Sequence, residues 1–154
     1  MAKTKREKKQ RVSINFPEEN GVIMVISDIS TDALVEKVAK TNIAKYIYYF
    51  FQNFQGLNTR QIKKLEEAII LTKNAKYIYL FAVNSPQKDI KKLEEAILET
   101  QNAEYIYYFA KQYLKDIELE RFEEELKKIG NEEAIKKFNK LIPFSKKIKK
   151  YFKK

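Results

Sequence analysis

Between residues 30 and 142 the apolar residues recur with the period of an α-helix, and one block returns four times. Ile62, Leu65, Ala68, Ile69 and Thr72 fall at i, i+3, i+6, i+7 and i+10, on one side of a 3.6-residue helix. Ile90, Leu93, Ala96, Ile97 and Thr100 repeat that set, and Thr31, Leu34, Lys37, Val38 and Thr41 precede it. Leu119, Phe122, Glu125, Leu126 and Ile129 form the fourth version. A second stripe follows each: Ala75, Ile78, Phe81 and Ala82, matched by Ala103, Ile106, Phe109 and Ala110. It lies within I-A-K-Y-I-Y-Y-F-F at 43–51, N-A-K-Y-I-Y-L-F-A at 74–82 and N-A-E-Y-I-Y-Y-F-A at 102–110, spaced 31 and 28 residues apart. That is the length of a solenoid repeat.

The joints carry their own signals. Ser30-Thr31-Asp32 offers caps for the first helix, and Asn74, Asn102 and Asn131 stand where a second helix of each pair begins. Gly130 suits the end of a helix. Gly56-Leu57-Asn58 and Ser85-Pro86 separate the pairs, whereas Tyr113-Leu114-Lys115-Asp116 holds neither glycine nor proline and reads as a bend or a continuous helix. The fourth copy keeps Ile135 and Phe138 but replaces the tyrosines with Ala134, Lys136 and Lys137, as a terminal repeat facing water would. Ahead of the helices, Val12, Ile14 and Phe16 alternate with polar residues, Pro17-Glu18-Glu19-Asn20-Gly21 supplies a turn, and residues 22–26 are largely β-branched. The pattern predicts a mostly α protein. It is a short α-solenoid of about four helical hairpins over 30–142, preceded by a small β-hairpin over 12–29.

Composition narrows the chemistry. The 154 residues include no cysteine and no histidine, which excludes disulfides, thiol nucleophiles, the usual zinc sites and histidine-based triads. We find no glycine-rich phosphate loop and no calcium loop, so neither cofactor nor metal is expected, and the chain does not read as an enzyme. No apolar run is long enough to span a membrane and no secretory h-region follows the basic N-terminus, so the expected location is the cytoplasm. The net charge of +10 sits on the ends. Residues 1–11 carry six basic groups and one acid, residues 144–154 six lysines and no acid, and the remainder 19 basic and 20 acidic groups. Residues 1–11 therefore read as a mobile basic arm whose Lys3, Lys5, Arg6, Lys8, Lys9 and Arg11 are candidate phosphate contacts. In 143–154, Phe144, Ile148, Tyr151 and Phe152 share one helical face among Lys146, Lys147, Lys149 and Lys150, a basic amphipathic segment that closes the repeat or docks on a partner.

Two ladders of tyrosine, Tyr46, Tyr77, Tyr105 and Tyr48, Tyr79, Tyr107, flank the second stripe and are expected to pack between repeats. A third series, Tyr49, Leu80 and Tyr108, points away from that stripe and is the candidate contact surface. Glu66-Glu67, Glu94-Glu95 and Glu123-Glu124 do not converge as catalytic dyads. With Lys63-Lys64 and Lys91-Lys92 three residues before the first two pairs, they read as solvated charge pairs on the outer face.

The block I-K-K-L-E-E-A-I-x-x-T-x-N-A-x-Y-I-Y-x-F-A at 62–82 and 90–110 resembles a tandem α-hairpin repeat of largely uncharacterised proteins from AT-rich anaerobic bacteria and their mobile elements. A short chain of this kind with basic ends is similar to small phage-borne inhibitors, anti-CRISPR proteins among them. The repeat resemblance carries no activity of its own. The chain reads as a non-enzymatic module that binds a protein or nucleoprotein complex, and the likeness to small inhibitors implies an inhibitor of an RNA-guided nuclease as one form. The alternative is a helical-repeat protein that binds RNA or DNA directly through its basic ends. As an assembly the chain reads as a monomer or weak oligomer, the exposed edge of the β-hairpin being the means of pairing.

Overall fold

The computed structural model describes residues 29–144 in full, together with the backbone of residues 12–16 and 22–26. The basic arm 1–11, the turn 17–21 and the lysines of 145–154 lie outside the described residues. The protein is mostly α, with eight helices among the described residues. It divides into two compact units, Met1–Thr72 and Lys73–Lys154.

In the first unit α1 (Thr31–Lys40), α2 (Ala44–Asn53) and α3 (Thr59–Leu71) pack on one another. Strands β1 (Val12–Phe16) and β2 (Val22–Ile26) pair antiparallel, Val12 opposite Ile26 and Phe16 opposite Val22, and β1 runs alongside α2. Leu34, Val35, Val38, Ile47, Phe50, Leu65 and Ile69 are buried. Two polar ties join α1 to α3. The buried Gln61 donates from Nε2 to Asp32 Oδ1 at 2.7 Å, and Lys64 pairs with Glu36. Gln61 also accepts from the Asn58 N–H at 2.9 Å while Asn58 accepts from the Gln61 N–H at 3.0 Å, a reciprocal cap that starts α3.

The second unit holds α4 (Ala75–Asn84), α5 (Ile90–Glu99), α6 (Ala103–Gln112), α7 (Leu119–Ile129) and α8 (Glu132–Asn139). α6 is its hub, touching α4, α5, α7 and α8. Phe81, Phe109, Phe122 and Phe138 are almost fully buried, and the Phe109 and Phe122 rings stack at 6.0 Å. The chain between α6 and α7 is a turn rather than a continuous helix, with Asp116 N–H bonding Tyr113 O at 2.9 Å. Ile117 anchors it by burial. A single helical turn at 142–144 follows α8, with Phe144 exposed.

One joint explains why the repeat keeps its threonine and asparagine. Thr41, Thr72 and Thr100 are not part of the apolar stripe. Each caps its helix end, its hydroxyl donating to the carbonyl three residues back at 2.6–2.7 Å. The next residue turns the chain with a left-handed backbone: Asn42 (φ 52°), Lys73 (φ 52°), Gln101 (φ 53°) and Gly130 (φ 74°). The following asparagine then caps the second helix, Asn74, Asn102 and Asn131 accepting from the N–H groups of Tyr77, Tyr105 and Ala134. In the first copy that place is taken by Ile43, which makes no such bond.

Only the fourth copy places glycine at the left-handed residue. A side chain there costs about 1 kcal/mol, so Gln101→Gly is expected to raise stability by roughly that amount. Gly130→Ala should lower it similarly, because nothing lies within 4 Å of the new Cβ and only the backbone angle opposes it. Urea unfolding of the two variants checks both signs.

Candidate interaction surface

The third aromatic series is unevenly placed. Tyr108 is exposed at 37%, whereas Tyr49 and Leu80 are half-buried. The candidate contacts Lys146, Lys147, Lys149 and Lys150, and the whole basic arm, fall outside the described residues. Within α4 and α6 the two tyrosine ladders mesh rather than run separately. Tyr79 of one ladder meets Tyr105 of the other at 5.9 Å and Tyr108 at 6.0 Å, and Tyr105 meets Tyr108 at 5.8 Å. These rings fill the space between consecutive second helices, which is the packing role expected for the ladders.

Between α6 and α8 the filling stops. Tyr107 occupies the repeat position of Tyr79, but the partners that Tyr105 and Tyr108 would supply are Ala134 and Lys137. A cleft of about 310 Å³ lies there, lined by Glu104, Tyr107, Tyr108, Asn131, Glu133, Ala134 and Lys137. Its rim is ordered by two similar i,i+4 contacts. The Tyr108 hydroxyl donates to Glu104 Oε1 at 3.0 Å, and Lys137 Nζ contacts Glu133 Oε1 at 2.6 Å. The bond to Glu104 pushes the Tyr108 hydroxyl above its ordinary pKa. Glu133 is held below the usual carboxylate value by Lys137, and Lys137 is raised in turn.

The first helices of the pairs form grooves too. In the first unit, Ala39, Lys40, Asn42, Lys64, Glu67, Ala68 and the exposed Leu71 line a groove of about 580 Å³ between α1 and α3. In the second, α5 and α7 form one of about 350 Å³. Its Leu98, Glu99, Gln101, Arg121, Glu124, Glu125 and Lys128 are the repeat equivalents, residue for residue, of the first set. The shape therefore follows from the repeat. The chemistry does not, since Ala68 becomes Glu125 and Leu71 becomes Lys128.

The carboxylates need a correction. Glu66 and Glu94 are buried at 3% and 5% exposure, and are not solvated groups of the outer face. The lysines on their own helices suggest an outer charge pair, but the flank that Glu94 occupies faces α7. Arg121 of α7 reaches Glu94 Oε1 at 3.0 Å. Burial nonetheless dominates and raises the Glu94 pKa, with Arg121 pulling the other way. Glu123, at the equivalent place in the last copy, is half-buried.

Two further residues escaped a reading by periodicity. The Tyr113 hydroxyl donates to Ala82 O at 2.6 Å in the interior. Ser85, 1% exposed, has a hydroxyl with no hydrogen-bond partner among the described residues. Among the described residues no cluster of three or more histidine, cysteine, aspartate or glutamate side chains is placed to hold a metal, and no helix is long and apolar enough to cross a membrane. Comparison of the chain with protein-family models, with curated proteins and with solved structures finds no match.

Proposed function

We propose that the protein is a non-enzymatic interaction module of the α-solenoid type, whose helical repeats present a surface to a protein or nucleoprotein partner. The observation that carries this reading is the tyrosine-rimmed cleft between α6 and α8, beside the exposed Tyr108. Packing explains the buried rings, but it does not require an exposed aromatic next to unfilled space. Tyrosine is among the residues that dominate binding energy when a partner desolvates it. An inhibitor of an RNA-guided nuclease is one form of such a module. In that form the basic ends approach phosphate while the helices hold protein.

The concentration of basic groups in 1–11 and 144–154 favours a second reading, direct binding of RNA or DNA. Affinity purification from the native cell, with and without nuclease, separates the two. The interaction-module reading expects a protein partner that survives nuclease. Loss of every partner on nuclease treatment, with oligonucleotide affinity of the isolated chain falling steeply as salt rises, overturns it in favour of the second.

A further inference from the structure

We infer that the α6–α8 cleft is a receptor for one aromatic side chain of the partner, most naturally a tyrosine. This rests on the interaction-module reading and names what that surface grips. The chain supplies the template itself. One repeat earlier, Tyr79 packs against both the Tyr105 ring at 5.9 Å and the Tyr108 ring at 6.0 Å, and those two rings lie 5.8 Å from each other, so the three form a triangular cluster. At the last joint, between α6 and α8, Tyr107 stands in the place of Tyr79, and Ala134 in the place of Tyr105. The cleft of about 310 Å³ is the space that a ring fills in the preceding repeat.

The polar rim survives the deletion of the ring. Glu104 holds the Tyr108 hydroxyl, and Glu133, its repeat equivalent, holds Lys137. A terminal repeat that only had to meet water would need no such frame around an open aromatic face. An incoming phenol would pack tilted against Tyr107, as Tyr105 does on Tyr79, and find hydrogen-bond partners for its hydroxyl at that rim. Offset or edge-on ring pairs contribute about 0.5–1.5 kcal/mol beyond the area they bury. A flexible aliphatic side chain of similar size gains less.

The test is an NMR titration of the isotope-labelled full chain with N-acetyl-tyrosinamide, and with N-acetyl-leucinamide as control. Saturable shifts at the amides of Tyr107, Ala134 and Lys137 are expected with the tyrosine probe and much smaller ones with leucine. Ala134→Tyr restores the missing ring and should weaken the probe about tenfold or more. Should that variant fail to fold, Tyr107→Leu keeps an apolar floor without a ring and should weaken it several-fold.

The inference is overturned by any of four results: no saturable shift at the cleft, equal response to leucine, probe binding unchanged in a folded Ala134→Tyr chain, or unchanged in Tyr107→Leu. Binding that emerges only after Tyr151→Ala and Phe152→Ala would give the cleft to the chain's own end. Probe-free shifts that grow with protein concentration would give it to a second copy; either result also overturns the partner assignment. A probe that fails while a nuclease-resistant protein partner is still retained rejects the aromatic occupant alone. A probe that binds where no partner is retained rejects the module and leaves the pocket.

Discussion

Phe109→Ala is expected to be the most damaging single substitution in the second unit, lowering stability by about 3–5 kcal/mol. Phe109 is fully buried in α6, the helix that touches all four others of that unit. Its ring stacks on Phe122 of α7 at 6.0 Å and lies 4.7 Å from Tyr113. Removing it takes away the transfer energy of a phenyl group and leaves a cavity bounded by rings fixed on separate helices. Those helices are tied by tight joints and cannot close in freely, so the cost belongs at the upper end of the range. Thermal unfolding followed by circular dichroism should show a fall in Tm on the order of ten degrees. Phe109→Leu, which retains most of the volume, should recover a large part of it.

Tyr113→Phe is expected to cost about 1–3 kcal/mol although it removes a single oxygen atom. The Tyr113 hydroxyl donates to the carbonyl of Ala82, whose helical donor would be the N–H four residues on. That residue is Pro86, which has none. The phenol of the next repeat thus completes the hydrogen bonding of a helix end, and phenylalanine would leave the carbonyl bare in the interior. The same site has a pH signature. Burial, with Tyr79 and Asp116 adding to it, pushes the Tyr113 hydroxyl up to about 12. An unfolded tyrosine titrates near 10, so the folded chain binds this proton more tightly. The stability it contributes is intact below pH 10 and is lost as pH rises from about 10 through 12. Wild type and Tyr113→Phe should therefore differ most below pH 10 and converge above it. A gap that stays constant across that window would show that the hydroxyl is not held as described.

Period and spacing made most of the helical framework legible. Leu65, Ile78 and Phe109 announce themselves because a packing position tolerates little change from copy to copy. The caps at Asn74, Asn102 and Asn131 were readable for a similar reason, since asparagine at a joint has few other physical uses. What periodicity cannot see is contact between helices that are distant in the chain. Glu94 looks like half of an i,i+3 surface pair on its own helix and is buried because α7 lies over it, a neighbour 27 residues away at Arg121. The bond from Tyr113 to Ala82 spans 31 residues. Its one local clue is Pro86, which marks a carbonyl in need of another donor.

The candidate surface was half legible. Tyr108 stood out by its angle on α6, but the same geometry applies to Tyr49 and Leu80, which neighbouring side chains partly cover. The replacement of tyrosine by Ala134 marks a terminal repeat and also foreshadows the cleft. The structure adds that the missing ring leaves a framed space. A substitution pattern can report lost packing without telling whether water or a partner takes its place.

The most direct measurement of the central claim is partner retention by the full chain carrying Tyr107→Ala and Tyr108→Ala together, after nuclease treatment. Both side chains lie at the cleft and neither is fully buried, but Tyr108 also packs on Tyr79 and Tyr105, so a modest fall in Tm is expected and circular dichroism must show the variant folded before retention is compared. The account predicts that a protein partner retained by the wild type is lost from this variant. Retention undiminished in a folded double variant would contradict it, and would move the interaction surface away from α6 and α8.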